Sequence, residues 1–153
     1  MDGFAEKLID IANHIGFPKE CLEIEITEYS FAKNSEGTIA NIKKLRDSGV
    51  MIALDDFGTG YTSLSQLLNL PINLLKIDKS LVDSIKSNET NKDFINAVIY
   101  MGHLMECEVI AEGVEDEDQL SQLHTLGCDF VQGFVWGKPI DYDSAVLICR
   151  QNV

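Results

Sequence analysis

Apolar residues recur along this chain in two alternating rhythms. Over residues 4–15, Phe4, Leu8, Ile11, Ala12 and Ile15 fall at helical spacing, and the stretch from Gly16 to Pro18 stops the helix. Residues 21–27, CLEIEIT, alternate instead. Leu22, Ile24 and Ile26 share one face and Glu23, Glu25 and Thr27 the other, which predicts a strand. A helix follows over 35–48, with Ser35 as N-cap and Gly49 at its stop. Strand 50–56, VMIALDD, ends in two aspartates. The glycine-rich turn FGTGYTS leads to a short helix over 63–69, ended by Pro71. Strand 73–78 is followed by a helix over 91–105 that starts at a capping Asn91 and packs Phe94, Ile95, Val98, Ile99, Met101 and Met105 into the core. Strand 108–114, helix 116–126 capped by Asp116 and closed by Gly127, strand 129–135 and helix 141–150 complete the pattern.

Strands that alternate with helices predict a parallel sheet with right-handed crossovers. The polar residues Glu25, Asp55, Asp56, Lys76, Asp78, Glu112, Glu115 and Gln132 all lie at or just past the C-terminal halves of strands. In a (β/α)8 barrel that end is the catalytic mouth. In an open doubly wound sheet the same edge binds ligands, so position alone leaves both folds open. No G-x-G-x-x-G or Walker A pattern follows the first strand, which weakens the dinucleotide-binding and P-loop readings. FGTGYTS has the look of a phosphate-cradling loop, but two glycines in a turn are a weak pattern by themselves.

Composition narrows the class. At 153 residues the chain suits one ordinary domain, and its 45% hydrophobic and 24% charged content excludes a disordered or fibrous chain. No apolar run approaches the ~20 residues that cross a bilayer. The N-terminus lacks the basic-then-apolar pattern of a signal peptide, so a soluble, cytoplasmic chain without membrane contact is expected. The net charge of −13 repels DNA and RNA polymers. An acidic protein that handles a phosphate substrate needs local compensation, and divalent cations supply it. Cys21, Cys107, Cys128 and Cys149 form no C-x-x-C pair and read as reduced core thiols. His14, His103 and His124 sit on predicted helices without ligand spacing and are assigned no function.

The acids at the strand ends carry the chemistry. Period-two alternation sends Asp55 and Asp56 to opposite faces, unless the strand ends there and a turn brings both to the mouth. With Glu25 and Glu112 they would give four carboxylates aimed at one place, where crowding makes each harder to ionise. One or two divalent cations resolve that conflict, and oxygen-only ligands suit Mg²⁺ or Mn²⁺ better than zinc. Two ions about 4 Å apart can clamp the attacking and leaving oxygens of an in-line phosphoryl displacement. Lys76 would orient the water or neutralise developing charge. Plainer readings stand beside these: Glu23 is a solvated strand residue, Asp56 caps a turn, and Lys76 pairs with a neighbouring acid.

These residues resemble the EAL family of cyclic di-GMP phosphodiesterases. Residues 25–28, EITE, look like that family's E-x-T-E strand, and residues 55–67, DDFGTGYTSLSQL, are similar to its D-D-F-G-T-G-Y-S-S-L loop. Residues 75–82, LKIDKSLV, 111–115, AEGVE, and 127–134, GCDFVQGF, complete five motifs in family order across residues 22–139. The resemblance implies an α/β fold, a partial (β/α)8 TIM-type barrel of about five βα units. It implies hydrolysis of cyclic di-GMP to the linear dinucleotide with Mg²⁺ or Mn²⁺. By motif position Glu25, Asp55, Asp56 and Glu112 would be metal ligands, Asp55 bridging two ions. Lys76 would hold the catalytic water and Gln132 would hydrogen-bond around water and phosphate. Glu28 would anchor the loop containing Gly58, Thr59 and Gly60, with Asp78 and Glu115 supporting the site.

Departures shape the remaining expectations. The tripeptide Glu-Ala-Leu occurs nowhere in the chain, and the family's glutamate and asparagine ligands from the early strands would precede Met1. Residues 1–153 are therefore expected to be the C-terminal portion of a single EAL domain, inactive alone and prone to self-associate through two open sheet edges or the family's dimer surface. Tyr29 and Trp136-Gly137 also depart from the family pattern without removing a ligand. The competing reading is a catalytically silent module that binds cyclic di-GMP or a protein. A third, an aldolase-type barrel with Lys76 as Schiff-base lysine, is disfavoured because acidic neighbours make that lysine a poor nucleophile.

Overall fold

A computed structural model of the chain describes residues 3–32, 36–58, 67–68 and 70–151. Its strands are β1 (Glu23–Thr27), β2 (Met51–Phe57), β3 (Leu74–Ile77), β4 (Glu108–Glu112) and β5 (Phe130–Gln132). Its helices are α1 (Phe4–Ile15), α2 (Glu28–Ala32), α3 (Glu36–Asp47), α4 (Lys79–Ser84), α5 (Glu89–Leu104), α6 (Glu117–Thr125) and α7 (Tyr142–Gln151). The strands form one parallel sheet in the order β1-β2-β3-β4-β5. Each strand therefore neighbours the next in sequence, the connectivity the alternation predicted.

The sheet has two chemically opposite faces. Ile52, Leu54, Leu75, Ile77, Val109 and Ala111 alternate onto one face and are buried. They pack with Ile42 and Leu45 of α3, Val98 and Ile99 of α5, and Leu123 of α6 in a single cluster. Each of the Val, Leu and Ile side chains contributes roughly 1.5–3 kcal/mol of burial. The other face is set by register. Thr27 lies opposite Asp55, Lys76 opposite Ile110, and Glu112 opposite Gln132. With the period of two, Glu25, Asp55, Lys76, Glu112 and Gln132 share that face.

Strand β2 does not end at its aspartates. Leu54 pairs with Leu75 and Phe57 with Ile77, so three steps on β2 match two on β3. The surplus residue is a β-bulge, with Asp56 at φ 57. Aspartate tolerates that left-handed conformation better than most residues. The bulge, not a strand end, takes Asp56 off the helix-packed face.

Other boundaries moved for local reasons. Residues 19–21 form a 3-10 turn, closed by Cys21 N–H on Pro18 O at 3.0 Å and Leu22 N–H on Lys19 O at 3.0 Å, so the first strand starts at Glu23. Helix α5 begins two residues before the predicted start. Its N-cap is Asn88, whose side chain accepts the Asn91 N–H, so Asn91 is the capped residue and not the cap. Strands β4 and β5 each stop before a glycine with positive φ, Gly113 and Gly133. Helices α2 and α4 were not predicted. Ser35 and most of the predicted helix 63–69 lie outside the described residues. No helix among the described residues is long and apolar enough to cross a membrane.

Candidate active site

Lys76 is the centre of the polar face. Its side chain is 7% exposed, on a strand flanked on both sides. Nζ donates to Glu25 Oε1, stands 2.8 Å from Glu112 Oε1 and 3.6 Å from Asp55 Oδ1. Burial pushes the ammonium toward deprotonation. Hydrogen bonds to Glu112 and Glu25, with the charges of Glu112 and Asp55, outweigh it and hold the pKa above that of an ordinary lysine. Lys76 is therefore a fixed cation that donates protons in hydrogen bonds, and not a base. β1, β2 and β4 each bring one carboxylate to it.

Asp55 and Asp56 are both at this mouth. Asp55 Oδ1 accepts the Asp56 N–H at 2.9 Å, which pins the bulge. Burial raises the Asp56 pKa, and the charges of Asp55 and Asp78 raise it further, opposed by Lys76. Asp78 begins α4 as its N-cap, its side chain accepting the Ser80 N–H at 2.9 Å. Glu28, 2% exposed at the start of α2, accepts the Gly58 N–H at 3.2 Å and so ties the segment after β2 to the end of β1. Gly58 has φ 109, a backbone conformation that favours glycine, and a Cβ there would press on the tip of Leu81. Thr59 and Gly60 lie outside the described residues.

Beyond β4 a cleft of about 340 Å³ opens between Lys79, Glu112, Glu115, Gln132 and Phe134. Gln132 is opposite Glu112 at the end of β5, and Glu115 pairs with Lys79 Nζ at 2.9 Å. Gly133 is tightly placed here: a Cβ on it would stand 2.1 Å from Val114 O. Sequence reasoning missed Lys79 and Gln119, which bind the loop at residues 113–115, and Asp83, which bonds to both of them. The Lys79–Asp83 pair, 3.1 Å apart, has the i, i+4 spacing that could have revealed it.

The structure thus brings Glu25, Asp55, Lys76 and Glu112 into contact, with Asp56 and Gln132 at the rim. The oxygen-only donor set suits a hard divalent cation. Among the described residues no group of three or more acids is arranged to hold an ion as it stands, because the carboxylates turn to the Lys76 ammonium. Elsewhere, His103 Nε2 lies 2.8 Å from Asp129 Oδ2, which also accepts the Val109 N–H at the opposite end of β4, a tie across the sheet's far edge. Cys107 and Cys128 are inert thiols, pushed up to about 11 by burial. Cys21 and Cys149 are exposed, which corrects their reading as core thiols: the first sits in the 3-10 turn and the second on α7.

Known proteins resemble this chain in sequence and in fold. The model of the family described as EAL domain matches residues 1–139. The signaling protein YkoW of Bacillus subtilis is 41% identical over 131 residues, 86% of this chain and 16% of that protein. The phosphodiesterase MucR of Pseudomonas aeruginosa, solved as a c-di-GMP complex, superposes with a TM-score of 0.86 at 30% identity, covering 94% of this chain and 58% of that one. BlrP1 of Klebsiella pneumoniae, solved as a manganese and c-di-GMP complex, gives 0.82 at 29% identity, covering 91% and 36%. The chain spans about a sixth of the length of the curated relatives it matches.

Proposed function

The chain belongs to the EAL domain family, and from that membership and the chemistry of its mouth we propose that it carries most of the site of a cyclic di-GMP phosphodiesterase, as the C-terminal portion of one such domain. The observation that carries this reading is the convergence of Glu25, Asp55 and Glu112, from separate strands, on the buried Lys76. A structural ion pair needs one acid; three acids around one lysine leave excess negative charge that suits added cations.

Glu25, Asp55, Asp56 and Glu112 would hold two Mg²⁺ or Mn²⁺ ions. Such ions, when bound, supply the charge that lowers the pKa of an attacking water and offsets charge on the phosphoryl oxygens. Lys76 would donate to the attacking water or to a phosphoryl oxygen. Gln132 donates its amide to the same region. Glu28 keeps the segment after β2 in place through Gly58, and Glu115 supports the loop bearing Glu112. The reaction is hydrolysis of one phosphodiester to give the linear dinucleotide. The acidic surface fits a small nucleotide ligand better than a nucleic acid polymer. The four free thiols suit the cytoplasm.

The test is incubation of the chain with cyclic di-GMP and Mn²⁺ or Mg²⁺, with an EDTA control, read by chromatography of the linear product. Turnover that stops with EDTA supports the reading and makes this chain's own acids sufficient. Absence of turnover, together with Mn²⁺ and nucleotide binding, fits a site that needs further ligands. Absence of turnover and of Mn²⁺ binding would overturn the metal assignment and favour the silent binding module.

A further inference from the structure

The turn after β4 carries Glu112 at its base and has little stiffness of its own: it runs Gly113-Val114-Glu115, with Gly113 at φ 69. Neighbours hold it from three sides. From β5 and the segment after it, Gln132 O accepts the Val114 N–H at 3.1 Å, and Val114 O accepts the Val135 N–H at 3.0 Å. From α4, Lys79 Nζ reaches Glu115 Oε1 at 2.9 Å and Gly113 O at 3.5 Å. The third holder is Gln119, in the first turn of α6.

Gln119 is 4% exposed, an unusual setting for a glutamine. Its Oε1 accepts the Glu115 N–H at 2.8 Å, and its Nε2 donates to Asp83 Oδ1 at 3.4 Å. Asp83 also accepts from Lys79 at 3.1 Å. In sequence, Asp116 and Gln119 are spaced as a capping box, in which the glutamine returns to the N–H of the cap residue. The cap itself is made: Asp116 Oδ1 accepts the N–H groups of Asp118 and Gln119. The returning bond is displaced by one residue, onto Glu115. Gln119 therefore serves the loop and not the helix.

We infer that Gln119 is a positioning residue for Glu112, locking the Gly113–Glu115 turn from beneath and joining it, through Asp83 and Lys79, to α4. This rests on the reading that Glu112 belongs to the reactive mouth, but its bond to Lys76 gives a reporter independent of any metal.

The experiment is NMR of the metal-free ¹⁵N-labelled chain and of Gln119→Leu and Gln119→Glu. Gln119→Leu removes both bonds, while Gln119→Glu keeps the acceptor for the Glu115 N–H and loses the donor to Asp83. In Gln119→Leu, Glu115 amide exchange is expected to speed at least tenfold with Ala111 in β4 unchanged, and the Lys76 side-chain ¹⁵N signal is expected to move. In Gln119→Glu, Glu115 protection is expected to stay within threefold of the parent. Faster Glu115 exchange with an unmoved Lys76 signal would reduce Gln119 to a local cap and overturn the inference, as would unchanged exchange. If Gln119→Leu does not fold, loss of Glu115 protection in Gln119→Glu overturns it equally. A parallel Mn²⁺ titration of the parent separates the two readings: no uptake removes the metal assignment and leaves the Gln119 result standing.

Discussion

At Lys76 a buried ammonium meets acids whose side chains are 50%, 20% and 23% exposed, for Glu25, Asp55 and Glu112. The lysine is the more deeply buried partner, so its removal leaves partly desolvated carboxylates facing one another. Lys76→Met is expected to destabilise the chain in EDTA by about 1–3 kcal/mol, between the values for exposed and buried pairs. Millimolar Mn²⁺ should then recover more stability in the variant than in the parent, because the ion replaces the lost positive charge. Urea denaturation with and without Mn²⁺ measures both. Equal stability of parent and variant in EDTA would show that the ammonium is incidental to the acids' convergence.

Among elements, helix α6 shows how a cap and an ion pair combine. Asp116 receives Lys86 Nζ at 2.6 and 2.7 Å and caps the helix with the same carboxylate. The Lys86 hydrogen bond, then the bond from the Gln119 N–H, holds its pKa below the usual value. A depressed carboxylate stabilises the fold fully above the unfolded value, about 3.9, and loses that contribution as pH falls through the lower folded value. Asp116→Asn keeps a capping acceptor and loses the charge. The stability gap between parent and variant should be widest near neutral pH and close below pH ~4; a gap that persists into stronger acid would mean that the cap, not the charge, carries it. The elements that were legible in sequence are those with enough length to show a period, such as α1, α3, α5 and the alternating β1. Helices α2 and α4 span five and six residues, under two turns, so no apolar stripe could mark them. The mouth acids were legible because strand ends and alternation place them. The bulge was not, since only the pairing with β3 exposes it, and the Gln119–Asp83 and Lys79–Glu115 links join residues 36 apart in sequence.

At the scale of the molecule, among the described residues, the sheet leaves β1 and β5 each paired on one side. Phe130 of β5 is 48% exposed, and Phe134, Trp136, Ile140 and Tyr142 follow it on the surface. Unpaired strand edges beside apolar surface invite pairing, so the chain is expected to self-associate, with light scattering after size exclusion showing a mass that rises with concentration. The net charge of −13 opposes association between copies. Moderate salt should screen that repulsion and strengthen self-association. A well-folded monomer at every concentration and salt would sink the expectation.

The bulge in β2 has a genetic consequence. A strand has a reading frame of two, and most single-residue insertions or deletions within it exchange its inner and outer faces. At the bulge the frame already holds one residue too many, so deleting Asp56 would leave Leu54 across from Leu75 and Phe57 across from Ile77, as they are now. An acid at the mouth could thus be gained or lost by a single-codon indel with the scaffold left in phase. A chain lacking Asp56 should still melt cooperatively, whereas one lacking Ala53 should not.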